Sequence, residues 1–336
     1  MLSRFSPLPV TGDVLRDYRI AARRTWRPAQ LGAHITRRMG ESQEFREHAF
    51  YQLGDDLRHV DWRASARMEG RLGLSGSQNW LIRRFSAEEH YNFVISLDTR
   101  DTMHFPIIAN ERLRRDMPTL EISKIQVARW IATALAWLAL DGSDRVAVHP
   151  LFGQSGASID IRGSLASVGI EAHLDTFTYE PASETNLNLR DLEDLLKPAA
   201  VWLILTDMYF STELALRLAD RMRAAVNGRR WLILVDLDSW PFEATLLGTG
   251  PRRIIGSTRD EKRLFITEQI LGETRSRIEA HQRKFLSTAG EGIKISRWPW
   301  PVSQKLTTAE DLKAFFTTSF HNDRTLRLLF ENDPWF

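Results

Sequence analysis

Residues 201–207 of this 336-residue chain read VWLILTD, five apolar side chains followed by a threonine and an aspartate. Residues 92–98 (NFVISLD) and 231–236 (WLILVD) repeat this form, and a shorter apolar run covers residues 145–149. Near-continuous apolar runs of this length are typical of strands that are buried on both faces of a parallel sheet. The runs therefore predict the centre of one such sheet.

Segments with helical patterns separate these predicted strands. The most hydrophobic long run, residues 125–140, includes Arg129 and is shorter than the roughly 20 apolar residues of a membrane-spanning helix. It predicts a buried amphipathic helix. Alternation of strands and helices predicts an α/β fold, a mostly parallel Rossmann-type sheet flanked by helices, over residues 91–330. Further expected elements are helices at 189–196, 211–225, 268–287 and 308–320, strands at 158–161 and 293–298, and a strand pair near 253–267.

The first 90 residues have a different pattern. A helix is predicted at residues 13–24, and the short apolar runs of residues 31–90 are interrupted by five glycines, from Gly40 to Gly76. We therefore expect a division into residues 1–90, an N-terminal helix with a smaller β-rich subdomain, and residues 91–330.

A dense cluster of opposed charges lies in this N-terminal part. Residues 54–67 read GDDLRHVDWRASAR, with three aspartates, three arginines, a histidine and a tryptophan. One interpretation is a solvated loop of weak ion pairs, each worth about 0–1 kcal/mol. The other is an ordered knot, in which arginines bind the carboxylates and Trp62 packs against the body of the protein.

The motif resembles the signature of the MoxR-associated domain-of-unknown-function family number fifty-eight. The family pattern is close to Tyr-x-x-Gly-Asp-Asp-x-Arg-x-Ile-Asp-Trp-x-x-Ser-Ala-Arg, from which only Val60 departs, conservatively, while Ala49 stands where an arginine is frequent. Many members carry two membrane helices near the N-terminus, so this chain resembles a short form without them. The matching positions, which the resemblance makes candidates for partner binding, are Tyr51, Gly54, Asp55, Asp56, Arg58, Asp61, Trp62, Ser65 and Arg67.

Asp98 and Asp207 end two of the predicted strands. Open α/β sheets bind ligands beyond the carboxyl ends of their strands. The stretch that follows Asp98, residues 99–103, resembles the first loop of a von Willebrand factor A-like domain, where Asp-x-Ser-x-Ser begins a metal-ion-dependent adhesion site. By this resemblance the ligands would be Asp98, Thr102, Thr185 and Asp207, and the ion would be Mg²⁺, which prefers oxygen ligands.

One position departs from that pattern. Arg100 replaces the middle serine and offers no ligand oxygen. Its guanidinium group could occupy the position of the cation and pair with Asp98 or Asp207. Both possibilities, a degraded metal site and a purely structural set of aspartates, stay open from the sequence.

Composition excludes several classes of function. The chain has no cysteine, which rules out disulfides and thiolate metal sites, and its net charge of +2 gives little reason to expect nucleic acid as a partner. No P-loop, Gly-x-Ser-x-Gly or His-Glu-x-x-His motif is present. The N-terminus shows no apolar secretory segment, and no transmembrane segment is expected, so the expected location is cytoplasmic.

One stretch near the C-terminus invites a further interpretation. Residues 298–301 read WPWP, and two Trp-Pro steps make a stiff, extended segment that could serve as a docking edge.

The resemblance implies a non-enzymatic adaptor that acts with a MoxR-type AAA+ ATPase in the assembly or remodelling of protein complexes. The alternative is a divalent-metal-dependent hydrolase whose ion would be held by Asp55, Asp56, His59 and Asp61.

Overall fold

The computed structural model describes residues 7–15, 45–51, 57–72, 80–85, 92–104, 123–141, 144–153, 158–161, 167–177, 186–197, 200–228, 230–255, 261–300, 308–327 and 329. By their contacts these residues fall into two units. An α/β unit lies within Met1–Pro28 and Tyr91–Phe336, and a small unit lies within Ala29–His90.

The strands of the two units are short, with three to seven residues each. They are β1 (Phe45–Phe50), β2 (Leu81–Phe85), β3 (Asn92–Leu97), β4 (Arg145–Pro150), β5 (Ile159–Ile161), β6 (Ala200–Thr206), β7 (Trp231–Asp236), β8 (Gly250–Ile255), β9 (Glu261–Ile266) and β10 (Ile293–Arg297). The helices are α1 (Trp62–Leu72), α2 (Lys124–Asp141), α3 (Ser167–Leu174), α4 (Leu189–Leu195), α5 (Thr212–Asn227), α6 (Trp240–Leu247), α7 (Glu268–Ala289), α8 (Ala309–Asn322) and α9 (Arg324–Arg327).

The α/β unit is built on a six-stranded sheet in the order β10-β7-β6-β3-β4-β5. The first five strands in this order are parallel, and β5 pairs antiparallel with β4 at one edge. Helices follow the strands, so the predicted α/β class with a mostly parallel sheet is confirmed. The strand pair expected near residues 253–267 is present as β8 and β9, which form a separate antiparallel sheet.

The register of the sheet brings the ends of the central strands to one rim. Leu97 of β3 pairs with Leu205 of β6, and Thr206 of β6 pairs with Asp236 of β7. The residues that follow β3 and β6 are therefore neighbours, and those that follow β7 and β10 continue the same rim. We call this the strand-end rim.

Two apolar layers cover the sheet because successive side chains of a strand point to opposite faces. Phe93, Ile95 and Leu97 of β3 belong to the layer that includes α2. Val94 belongs to the other layer, which includes residues of α5 and α7.

Helix α2 is buried along nearly its whole length. The amphipathic character predicted for it is wrong, because its outer side is covered as well. Val10 and Leu15 belong to the same apolar cluster, and Phe316 of α8 lies edge-to-face on Trp130, with their ring centroids 6.2 Å apart. Among the described residues, no helix combines the length and apolarity needed to cross a membrane.

The small unit pairs β1 with β2 in antiparallel fashion, and Val60 forms an isolated bridge to Ile82. Residues 31–90 were predicted to contain strands and loops. This prediction is corrected, because the small unit also contains α1, a helix of 11 residues. The physical reason is local, since Asp61 caps a run that is rich in alanine and arginine, which are good helix formers. Of the helix predicted at residues 13–24, only the part up to residue 15 lies in the described residues.

Candidate functional site

Asp98 and Asp207 meet at the strand-end rim. Asp98 follows β3, and its backbone N–H donates to the carbonyl of Leu205 in β6 at 2.9 Å. Asp207 is the first residue after β6. Both side chains are fully buried. The carboxylates that end these two apolar strands therefore lie in one place.

Arg100 lies between these two carboxylates. Its Nε donates to Oδ1 of Asp98 at 3.0 Å, and its Nη2 donates to Oδ2 of Asp98 at 2.5 Å and to Oδ1 of Asp207 at 2.8 Å. Its Nη1 donates to the carbonyl of Tyr209 at 2.7 Å. The guanidinium group therefore bridges both strand ends, as one of the two interpretations of the sequence anticipated.

Aromatic rings enclose the Arg100 guanidinium. Its Cζ lies 5.1 Å from the ring centroid of Phe152 and 4.6 Å from that of Phe210. Cation–π contact with two rings adds attraction where water is excluded. The side chain is 1% exposed, so a full positive charge is held inside the protein.

Lys124 is a second buried cation at the same place, and the sequence analysis did not identify it. Its Nζ donates to Oδ2 of Asp207 at 2.7 Å, lies 3.6 Å from Oε1 of Glu243, and sits 4.7 Å from the ring centroid of Tyr209. A lysine at the first position of a mostly apolar helix was the available signal, since a helix that is buried all round has no solvated side for it. Asp98, Arg100, Lys124 and Asp207 are hereafter the ion-pair cluster.

Backbone and hydroxyl groups complete the hydrogen bonding of the cluster. Thr206 Oγ1 donates to Oδ2 of Asp98 at 2.7 Å and accepts the N–H of Met208 at 3.0 Å. Tyr209 N–H donates to Oδ1 of Asp207 at 3.0 Å. Met208 has a φ of 58°, in the left-handed region that non-glycine residues seldom adopt. This turn aims the Tyr209 N–H and C=O at the cluster.

The cluster shifts the pKa of its members. Burial alone would raise the pKa of Asp207, but Lys124 and then Arg100 outweigh it and lower that pKa to about 2. Burial alone would lower the pKa of Arg100, but Asp98 and Asp207 raise it above its ordinary value. Asp207 and Arg100 therefore both stay charged at neutral pH.

These contacts decide how well the residues fit a Mg²⁺ ion. Each carboxylate oxygen of Asp98 and Asp207 already accepts a hydrogen bond from Arg100, Lys124 or a neighbouring group. Arg100 occupies the space between the acids and Lys124 bonds to Asp207, so the described residues do not fit a divalent cation. Thr102 Oγ1 is buried and has no hydrogen-bond partner among the described residues, and Thr185 lies outside them.

The 54–67 motif is built around Asp61 and Ser65. Asp61 Oδ1 accepts the N–H of Ala64 at 3.0 Å, which caps α1, and Oδ2 lies 3.1 Å from Nε2 of His48 in β1. Ser65 Oγ donates to the carbonyl of Asp61 and accepts the N–H of Leu81, both at 2.8 Å. These two side chains tie the helix to both strands of the small unit.

The remaining motif residues divide into two groups. Tyr51 and Trp62 each lie edge-to-face on Trp80, with centroid distances of 5.7 and 5.0 Å. Trp62 is 55% exposed and contacts Trp80 within the small unit. Arg58 and Arg67 are also exposed. Gly54, Asp55 and Asp56 lie outside the described residues, as does the side chain of His59.

A second polar group, inside the sheet, has the residue types of a catalytic pair. Ser96 Oγ lies 3.0 Å from Nδ1 of His149 and accepts the indole N–H of Trp202, and His149 Nε2 lies 2.9 Å from the carbonyl of Asn188. Burial lowers the pKa of His149 to about 4. Ser96 and His149 are fully buried, so they bond strands together and are closed to a substrate.

The docking edge predicted at residues 298–301 is corrected. Trp298 and Trp300 are 3% and 9% exposed, and both belong to the apolar cluster of the α/β unit. Their indoles turn inward because the strand before them, β10, places its end beside α8, where Trp298 contacts Phe315 and Phe316.

Residues 45–285 of the chain, more than half of it, match the family described as protein of unknown function DUF58. No curated protein matches. Among solved structures, the chain is similar to an aerotolerance-related membrane protein from Bacteroides fragilis, with 11% identity and a TM-score of 0.31 over 69% of this chain and 98% of that one.

The cytoplasmic location predicted from the sequence is corrected, since that similar structure is of a membrane protein. The prediction came from the lack of cysteine and of an apolar N-terminal run. Neither feature reports where a chain resides.

Proposed function

This chain belongs to the DUF58 family, and we propose that it works as a non-enzymatic adaptor for a MoxR-type AAA+ ATPase in protein complex assembly or remodelling. The contact surface is the strand-end rim of a von Willebrand A-like unit. In this proposal the ion-pair cluster replaces the cation of a metal-ion-dependent adhesion site.

The proposal rests on one observation, namely that the charges at the strand-end rim are paired with one another and buried. Binding sites of open α/β sheets lie beyond the carboxyl ends of the strands. Here the acids and cations at that place neutralise one another and are buried. None of these side chains is accessible to attack or polarise a substrate. They fix the loops after β3 and β6, and a rigid set of loops suits recognition of a partner.

Nothing in the described residues favours the alternative of a metal-dependent hydrolase. The Asp61 carboxylate is used as a helix cap and as the partner of His48. A carboxylate in these two contacts is poorly placed to bind a catalytic ion at the same time.

The proposal is tested by association with the MoxR-type ATPase encoded in the same genome. The purified proteins are mixed at micromolar concentrations with ATP, with ADP or without nucleotide, and complexes are measured by mass photometry. We expect a complex whose amount depends on the nucleotide. Absence of association in all three conditions would count heavily against an adaptor role.

Site-specific photo-crosslinking tests whether the rim is the contact surface. Thr212 is exposed at the first position of α5, beside the strand-end rim, and Asn227 is exposed at the last. The two positions are about 22 Å apart along one helix. A photoreactive residue at Thr212 is expected to crosslink to the ATPase, while the same residue at Asn227 is the matched control. Crosslinks from position 227 alone would place the contact at the opposite edge of the sheet.

A further inference from the structure

A cavity of about 460 Å³ opens at the strand-end rim, beside the ion-pair cluster and distinct from it. Its wall includes Asp236 at the end of β7, Arg297 at the end of β10, and residues of α7. This volume lies within the range of cavities that bind small molecules, about 300–1,000 Å³. Ligands of parallel sheets bind at such a place.

Hydrogen-bond donors in the cavity wall lack partners. The indole N–H groups of Trp298 and Trp300 and the side-chain amide nitrogen of Gln282 are buried and form no hydrogen bond among the described residues. Both indoles are more than nine-tenths buried. A buried donor without a partner is unfavourable. The wall of the cavity therefore contains donors that the described residues leave unsatisfied.

The acids that line the cavity already have donors. Asp238 accepts the Tyr209 hydroxyl at 2.6 Å, and Glu279 accepts Nε of Arg275 at 2.7 Å. Asp236 Oδ1 accepts the N–H of Asp238 at 3.0 Å. The carboxylates are thus engaged with groups of the protein itself, and the remaining donors have no acceptor among the described residues.

Two arginines supply positive charge to the cavity wall. Arg297 approaches Oδ2 of Asp236 only at 3.9 Å, and its side chain is 79% exposed. Arg283 donates from Nε to the carbonyl of Glu279 at 3.2 Å, which leaves its terminal nitrogens for another acceptor. Guanidinium groups bind carboxylates through two parallel hydrogen bonds.

The rest of the wall is apolar. Met208, Leu286, Ile295 and Pro299 line the cavity together with the indoles of Trp298 and Trp300. We propose that this cavity binds an organic monoanion, a carboxylate carried on an apolar or aromatic body. The carboxylate binds Arg283 and Arg297, and the body packs against the apolar wall. A dianionic phosphate is disfavoured, since Asp236, Asp238 and Glu279 line the same space.

The chemistry is tested with phenylacetate and phenylacetamide, which share a ring and differ in the charged group. Binding to the full chain is followed by isothermal titration calorimetry. We expect phenylacetate to bind and phenylacetamide to bind at least about tenfold more weakly, since a charge-assisted pair contributes on the order of 1.5–3 kcal/mol. Equal affinity for the two compounds, or no heat with either at millimolar concentration, would overturn the proposal.

Variants locate the binding. Arg297→Gln and Arg283→Gln are each expected to weaken phenylacetate binding by about fivefold or more. The matched control is Arg277→Gln, an exposed arginine of the same helix α7 that does not line the cavity. If the three arginine variants bind alike, the carboxylate is not held in this cavity.

A third comparison distinguishes two ligands that carry the same carboxylate group, a protein C-terminus and a free organic acid. A tetrapeptide of apolar residues with a free C-terminal carboxylate is titrated beside its amidated form. Stronger binding of the free peptide than of phenylacetate identifies a protein C-terminus as the ligand, and weaker binding identifies a free organic acid. The inference does not depend on the adaptor proposal, because no ATPase is present in these titrations.

Discussion

The ends of β6 and β7 have the same sequence pattern and opposite electrostatics. Each strand is a buried apolar run followed by aspartate, Asp207 in one case and Asp236 in the other. The pKa of Asp207 is lowered to about 2, whereas burial and the neighbouring Asp238 raise the pKa of Asp236 to about 7. The difference lies in the cations near each aspartate. Asp207 contacts two buried cations, whereas among the described residues Asp236 has only the distant guanidinium of Arg297.

The comparison shows that a strand-end aspartate has no fixed role. With cations at 2.7–2.8 Å it is a structural ion. Without them it is a proton-binding group beside a cavity. An aspartate that is paired with cations closes the binding site beside it, whereas an aspartate without them leaves the site open. Substitutions that exchange or remove the cations are therefore the direct way to test this distinction.

The largest expected effect is that of Arg100→Met. This change removes the cation that Asp98 and Asp207 share and leaves buried negative charge without its main partner. Loss of one member of a buried pair costs about 3–5 kcal/mol. Urea unfolding is expected to show a loss of that size, and the control Arg277→Met, at an exposed position, is expected to change stability by less than about 0.5 kcal/mol. A loss of less than about 1 kcal/mol for Arg100→Met would mean that the cluster is hydrated and not closed.

The next effect concerns the pH dependence caused by Asp236. Its pKa is higher in the folded chain, about 7, than the ordinary 3.8. Its contribution to stability is therefore complete below about pH 4 and is lost as the pH rises through about 7. Asp236→Asn cannot ionise. We expect it to match the wild type near about pH 4 and to be about 2–4 kcal/mol more stable near about pH 8.

Urea unfolding of both proteins across this pH range measures the difference. Asp194→Asn, at an exposed position, is the matched control. Asp207 acts in the opposite direction, because its lowered pKa gives stability that is present above about pH 4 and lost as the pH falls through about 2. If Asp236→Asn and the wild type differ equally at all pH values, Asp236 does not titrate in the way that the comparison requires.

Sequence reasoning found the parallel sheet and both strand-end aspartates because apolar runs report burial directly. It also identified Arg100 as a substitute for a cation, since that residue lies two positions from Asp98 and pairs with it locally. Lys124 was missed because its partner, Asp207, is 83 residues away and only the packing of α2 brings them together. The cavity was not predicted for the same reason, because its wall combines strand ends with one face of α7.

Two errors have local physical causes. The small unit was expected to be β-rich because its glycines were interpreted as turns, yet Gly70 lies inside α1. Helix α6 was not predicted, although Ser239 before Trp240-Pro241 is a helix start with proline in the first turn. In both places the residue just before the helix, Asp61 or Ser239, was a better signal than the glycine or the apolar pattern.

A smaller effect is expected in the small unit, where charge is less buried than in the ion-pair cluster. Asp61→Ala removes the cap of α1 and the contact with His48. We expect a loss of about 1–2 kcal/mol, seen as faster amide hydrogen exchange in β1, β2 and α1. Asp61→Asn keeps a capping oxygen and is expected to lose less, and Arg67→Ala is the exposed control. If Asp61→Ala instead leaves exchange unchanged and abolishes ATPase binding, the motif is a docking surface.

The smallest expected effect is the response to Mg²⁺, which we expect to be nil in the wild type. Binding to the folded state would raise stability by about 2.7 kcal/mol at a hundredfold excess over Kd. The oxygens of Asp98 and Asp207 are already bonded to Arg100, Lys124 and Thr206, so thermal unfolding with Mg²⁺ and with EDTA should coincide. Arg100→Ser removes the built-in cation and restores a hydroxyl. If the comparison between the two strand ends is right, Mg²⁺ stabilises this variant alone. Stabilisation of the wild type that disappears in Asp98→Asn would show instead that a metal competes successfully with the arginine.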